Sequence, residues 1–203
     1  MHVMPAVFDQ RVMTPTRPDY ATYMSSLGLD AEHATPWEQI VESGGTRNGD
    51  TLQFIQVPTV ASGRAEARFL VNGIRWTPTE PLTIAGRTIQ VSPSQHEDAL
   101  QALSAGDQVT IHAEPNNQID EDAAIVSSGG VPLGGGVPLG WVPRPLSAGF
   151  RGLLADGPAN AKVGRVAPPG TPPHLRLILD VNLPAPAGFS FDPTDQWEPL
   201  PAN

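Results

Sequence analysis

The sequence contains no cysteine. That excludes a disulfide framework, a thiolate nucleophile and cysteine-ligated metal. Lysine is almost as scarce: of 12 basic residues, Lys162 is the one lysine. Aromatic residues make up 6% of the chain. No apolar run approaches the roughly 18 residues a membrane span needs. The opening MHVMPAVF has neither a basic region nor a sustained apolar core, so a secretory signal is not expected. A soluble, cytoplasmic protein is the expectation, with no membrane partner.

Proline (23) and glycine (20) are plentiful in a chain of 203 residues. Such a composition points to many turns and short strands. The hydrophobic fraction of 39% allows a modest core. The length fits one domain with extensions, or two small ones. Net charge is −9 and is unevenly spread. Acidic residues prevail in the first 63 positions, and the tail carries Asp192, Asp195 and Glu198 with no basic residue. The centre is nearly neutral and holds most of the arginines. An acidic chain is poorly suited to non-specific duplex binding, which rests on neutralising phosphates. A small pocket for the end of a single strand is still compatible with it.

The densest pattern lies between Gly106 and Leu146. Asp107–Ile111 alternates polar and β-branched residues, the pattern of a strand. Pro115-Asn116-Asn117 reads as a turn, and Asp120 can close it through its carboxylate. Ala123–Ser127 reads as the return strand and Leu139–Val142 as a third. Pro143-Arg144-Pro145 follows, then helical spacing from Leu146 to Ala155. Between the motifs the hexapeptide GGVPLG occurs twice, at 129–134 and 135–140. It reads as a lengthened loop, since closure cost grows slowly with length.

This stretch resembles the HIRAN domain family. The resemblance rests on Glu114-Pro115-Asn116-Asn117-Gln118-Ile119-Asp120-Glu121-Asp122-Ala123 and on Gly140-Trp141-Val142-Pro143-Arg144. Upstream, Val71-Asn72-Gly73-Ile74-Arg75-Trp76 looks like the family's opening strand, read over Arg68–Trp76. With strands at Val163–Val166 and Leu175–Val181, the likeness covers about Arg68 to Asn182. It implies an α+β, mainly β fold: a small OB- or SH3-like barrel of about six strands, with N-terminal helices. The boundaries expected are 1–63 for the helical segment, 64–183 for the barrel and 184–203 for a proline-rich acidic tail. Phe189, Phe191, Trp197 and Leu200 can pin that tail to the body.

The resemblance also implies a non-enzymatic module that binds the 3′ end of single-stranded DNA. Arg75, Trp76, Asn117, Asp120, Trp141 and Arg144 would line the site. The guanidinium groups can grip phosphate and the indoles can stack bases. Each residue also has a plainer reading. Arg75 can simply end a strand, Trp76 and Trp141 can be core residues, Asn117 and Asp120 can close their own turn, and Arg144 can start a helix. Ile119 stands where the family has an aromatic, and Glu121 and Asp122 add negative charge. HIRAN domains are usually fused to a helicase or nuclease, so such a partner is expected in trans.

The N-terminal part reads as helical. Arg17-Pro18-Asp19 looks like a helix start. Tyr20, Tyr23, Met24 and Leu27 make one stripe, and Gly28 is the natural stop. Thr35-Pro36-Trp37-Glu38 has capping-box spacing, with Trp37, Ile40 and Val41 as the expected buried side and Gly44-Gly45 as the end. Thr51–Val57 is a strand candidate. The order Phe8-Asp9, Met13, Leu27-Gly28-Leu29, Pro36, Gly44-Gly45, Asp50 also resembles the first subdomain of HipA-type kinases. An alternative function follows: a protein-interaction or accessory subunit of a HipA-type toxin–antitoxin kinase system.

Between the two parts, Arg87–Val91 suggests a strand and Glu97–Leu103 a short helix. The five histidines (His2, His33, His96, His112, His174) are scattered. His112 and Glu114 can share a strand face, but two groups do not make a zinc site. Ser43-Gly44-Gly45-Thr46 lacks the lysine of a phosphate-binding loop. No metal, cofactor or catalytic constellation is expected.

Overall fold

The computed structural model describes residues 5–46, 52–84, 87–129 and 136–192. Three short helices come first: α1 (Ala6–Asp9), α2 (Tyr20–Ser26) and α3 (Pro36–Ser43). The strands are β1 (Thr59–Ala61), β2 (Arg64–Leu70), β3 (Leu82–Ile84), β4 (Arg87–Ile89), β5 (Gln108–Ala113), β6 (Ala124–Ser128), β7 (Pro138–Trp141), β8 (Ala159–Val166) and β9 (Leu177–Pro184). Helix α4 (Pro93–Gln101) precedes β5, and α5 (Arg144–Leu153) follows β7.

Seven strands form one antiparallel sheet in the order β1-β2-β9-β8-β5-β6-β7, while β3 and β4 make a separate hairpin. The class is thus α+β with a mostly antiparallel sheet. The sheet is not a closed barrel. A single bridge, Asn72 with Trp141, joins its last strand to the segment after β2, through two backbone hydrogen bonds of 2.8 Å.

Alternation along β2 and β9 explains how the sheet is covered on two sides. Ala65, Ala67 and Phe69 face the main core, as do Leu177, Leu179, Val181 and Leu183. Phe150 of α5 packs edge-on against Phe69, with ring centroids 5.6 Å apart. The opposite faces carry Arg68 across from Asp180 and Glu66 across from Asn182. Both pairs are bonded, at 2.6 and 2.8 Å. Leu70 and Ile178 also point this way and take Tyr20, Met24 and Leu27, the stripe expected of α2. Gly28 stops that helix at φ +72°.

Helix α3 has the expected capping box, with Glu38 N–H donating to Thr35 Oγ1 and Thr35 N–H to a Glu38 oxygen. Gly44 ends it in the left-handed region. Its buried side differs from expectation. Ile40 is buried, but Trp37 and Val41 are about half exposed, and Gln39 and Ser43 turn inward. Those two polar residues bring their own partners. Gln39 Oε1 accepts from Met13 N–H, and Ser43 Oγ donates to the Gln39 carbonyl.

Two strand expectations need correction. The opening strand ends at Leu70 and starts earlier, because Ser62 and Gly63, both at positive φ, turn a β1–β2 hairpin there. Residues 52–57 form no strand, and Phe54 packs on Phe8 instead (4.7 Å). Phe191 of the expected tail is buried beside Phe150, and Pro184 belongs to β9. Asp50, Thr51, residues 130–135 of the repeat, Trp197 and Leu200 lie outside the described residues. Among the described residues, no helix is long and apolar enough to cross a membrane.

Candidate functional site

The two glycines of the upstream and downstream motifs are required for one close approach. Past β2, the chain turns at Gly73, φ +71°, where a Cβ would overlap the Trp141 ring. Gly140 sits against the Asn72 carbonyl and the Val71 side chain. Their lack of side chains lets the Asn72–Trp141 bridge form and lays the indole over the turn.

Residues Gly73 to Glu80 then form turns and not a strand. Trp76 N–H and Thr77 N–H both donate to the Gly73 carbonyl, and Thr79 bonds back to the Trp76 carbonyl. This fixes the Trp76 backbone and leaves its side chain 56% exposed, so it is not a core tryptophan. The Arg75 guanidinium lies over the Trp76 ring, 4.2 Å from its centroid.

The next turn is held by its own side chains. Asn117 Oδ1 accepts from the N–H groups of Ile119 (2.9 Å) and Asp120 (3.1 Å). Asp120 Oδ1 accepts from Asp122 N–H at 3.0 Å. Asp120 Oδ2 and the Arg144 carbonyl each lie 2.7 Å from Ser147 Oγ, whose single proton serves one at a time. Asp122 is paired with Arg151 of α5, so its charge is compensated.

Between these turns lies a cleft of about 610 Å³. Trp76, Asn117, Asp120, Trp141 and Arg144 all line it, as does Ile119, 81% exposed. Of the six residues singled out in the sequence, five share this cleft, and Arg75 covers a face of Trp76 beside it. The self-bonded turn and the cleft wall are thus the same residues. Trp141 likewise has two contacts, since it also packs against the cluster of Leu82, Ile84 and Ile125.

Two contributions were not singled out. Glu80, Pro81, Leu82 and Thr83 form one wall, so the long segment after Trp76 borders the cleft without closing it. Glu114 is 5% exposed and forms part of the lining. Its Oε2 accepts from Trp141 Nε1 at 2.6 Å and from Asn117 Nδ2 at 2.9 Å. One carboxylate oxygen therefore ties the turn to β7. The sequence signal was present: an acid directly before the proline of the turn.

The cations differ in their partners. Arg68, Arg151, Arg165 and Arg176 all pair with carboxylates. Among the described residues, Arg75 and Arg144 at the cleft have no carboxylate partner. Arg144 opens α5, where a cation is disfavoured by the helix dipole. Below the site, His96 of α4 is buried and donates from Nε2 to the Leu139 carbonyl at 3.1 Å, which fixes its tautomer. Burial pushes its imidazole below the ordinary value. His112 bonds Ser127 Oγ and Glu114 bonds Trp141, so the two do not converge on a common point. Among the described residues, no group of three or more His, Asp or Glu is arranged to hold a metal. No protein-family model, curated protein or solved structure matches the chain.

Proposed function

We propose that the chain is a cytoplasmic, non-enzymatic HIRAN-type module whose cleft takes the 3′ end of a single DNA strand. It would act with a DNA-processing partner, a helicase or nuclease, in trans. The observation that carries this reading is the convergence of Trp76, Asn117, Asp120, Trp141 and Arg144 on one cleft. The volume is within the usual range for a bound small ligand, about 300–1,000 Å³. Exposed Trp76 offers a stacking face, worth roughly 1–3 kcal/mol per base. Arg144 and Arg75 are open to a phosphate. The carboxylates nearby disfavour a long phosphate track and suit a terminal hydroxyl. The Asn72–Trp141 bridge supports reading the sheet as an opened version of the HIRAN barrel.

The test is binding of a short labelled oligonucleotide with a free 3′-hydroxyl, against the same strand carrying a 3′-phosphate. The hydroxyl form is expected to bind at least tenfold tighter, and Trp76→Ala to weaken it by about tenfold. Equal affinity, or no binding at low salt, would overturn the reading.

A second reading has its own observation. Trp37 (49%), Val7 (46%) and Val41 (46%) are exposed on the N-terminal helices, with Phe8 against both Trp37 and Phe54. This apolar patch suits a protein partner, such as a HipA-type kinase. It predicts a stable complex that Trp37→Ala disrupts while DNA binding persists.

A further inference from the structure

Glu114 does more in the cleft than hold it together. Its Oε2 is occupied by two donors, Trp141 Nε1 and Asn117 Nδ2. Among the described residues, no hydrogen bond reaches Oε1. Oε1 is not sealed in the protein either, since no buried side-chain oxygen there lacks a partner. Glu114 lines the cleft, and Oε1 is the oxygen it has without a protein donor for a group bound there. The other carboxylates differ. Asp120 Oδ1 accepts from Asp122 N–H, its Oδ2 shares the Ser147 proton with the Arg144 carbonyl, and Glu80 is exposed, where water serves it. A carboxylate oxygen with no protein donor, on a side chain only 5% exposed, is an acceptor that a bound ligand's donor can fill.

Trp76 and Trp141 border the same space as Glu114, so a base stacked there shares the cleft with this carboxylate. Its phosphate is expected beside Arg144 and Arg75, the cations at the cleft. We propose, building on the DNA-end reading, that Glu114 reads the terminal base and selects cytosine over uracil or thymine. The amino group at position 4 of cytosine donates to Oε1, as acidic side chains accept from cytosine elsewhere. Uracil and thymine present a carbonyl oxygen at that position. It would face the carboxylate acceptor to acceptor.

The variant Glu114→Gln inverts the pattern. Trp141 Nε1 and Asn117 Nδ2 are both donors, so the amide oxygen must stay with them. The amide NH₂ then faces the cleft, and the acceptor becomes a donor. The test uses two oligonucleotides identical except for a terminal deoxycytidine or deoxyuridine, which differ at position 4 (amino against carbonyl) and at position 3 (acceptor nitrogen against N–H). The wild-type protein is expected to bind the deoxycytidine end roughly tenfold tighter. Glu114→Gln, its fold checked by thermal unfolding, is expected to prefer the deoxyuridine end. Equal affinity of the wild type for the two ends, or a preference for deoxyuridine, overturns base reading and leaves 3′-end binding intact. Binding to neither overturns the DNA-end reading and this inference with it. If the variant fails to fold, the wild-type ratio alone decides.

Discussion

Histidine shows how one residue type can be set by burial. His96 and His112 lie in places where desolvation pushes each imidazole below its ordinary value of 6.5. His96 also donates to the Leu139 carbonyl on β7, behind the cleft wall. In the window just below pH 6.5 the unfolded chain binds more protons than the folded one. Stability is then complete above 6.5 and falls as the pH drops towards the folded-state values. The carboxylate of Glu97, held low by its bonds to Arg176, acts only below about 4.5, so the two effects are separable. The urea midpoint is expected to be lower at pH 5.5 than at pH 7.5. His96→Gln retains a donor without a titration and should narrow that difference. A midpoint unchanged between the two pH values would refute it.

At the scale of elements, one carboxylate fastens α3 to the sheet. Glu42 Oε1 accepts from Arg68 of β2 at 2.9 Å, and Oε2 from Arg165 of β8 at 3.1 Å. Arg165 also donates to the carbonyls of Ser26 and Glu42, so α2 is tied in as well. The Arg165 and Glu42 side chains are only 11% and 14% exposed. Removing one partner leaves a buried cation uncompensated, which is far worse than losing a surface pair. Glu42→Ala is expected to cost about 3 kcal/mol in urea unfolding, and Glu42→Gln less, because the amide oxygen still accepts. A loss under about 1 kcal/mol would mean the network behaves like an exposed one.

The same elements mark what could be read in advance. Helices α2 and α3 and strands β5 to β7 follow from periodicity, proline and glycine, whereas β8 and β9 were expected only from the resemblance and with other bounds. Strand β2 was displaced in the reading because Ala65 and Ala67 are weak apolar signals. Its charged positions make sense only opposite Asp180 and Asn182 of β9, more than a hundred residues away. The alternating segment at 52–57 lacks a strand to pair with, a condition that no local pattern contains. The site was legible where turn chemistry defined it, at Gly73, Asn117, Asp120 and Gly140. Glu114 was harder to see because its role depends on Trp141, brought to it by the β6–β7 pairing.

For the whole molecule, the proposed binding of a DNA end has to be reconciled with a net charge of −9. Arg17, Arg68, Arg151, Arg165 and Arg176 are committed to ion pairs within the fold, and Arg75 and Arg144 are the cations beside the cleft. Binding should therefore involve about two phosphates and release few counterions. For a single strand each contact contributes a slope of about −0.7 in log K against log salt. The whole protein is expected to show a slope near −1.4 by this estimate, far shallower than a groove tracking six or more phosphates. Arg144→Ala should weaken binding and reduce the slope by about 0.7. Trp76→Ala should weaken binding with the slope unchanged, because stacking releases no counterion. A slope steeper than about −4 would imply six contacts, and the end-binding reading would have to give way to a track along the surface.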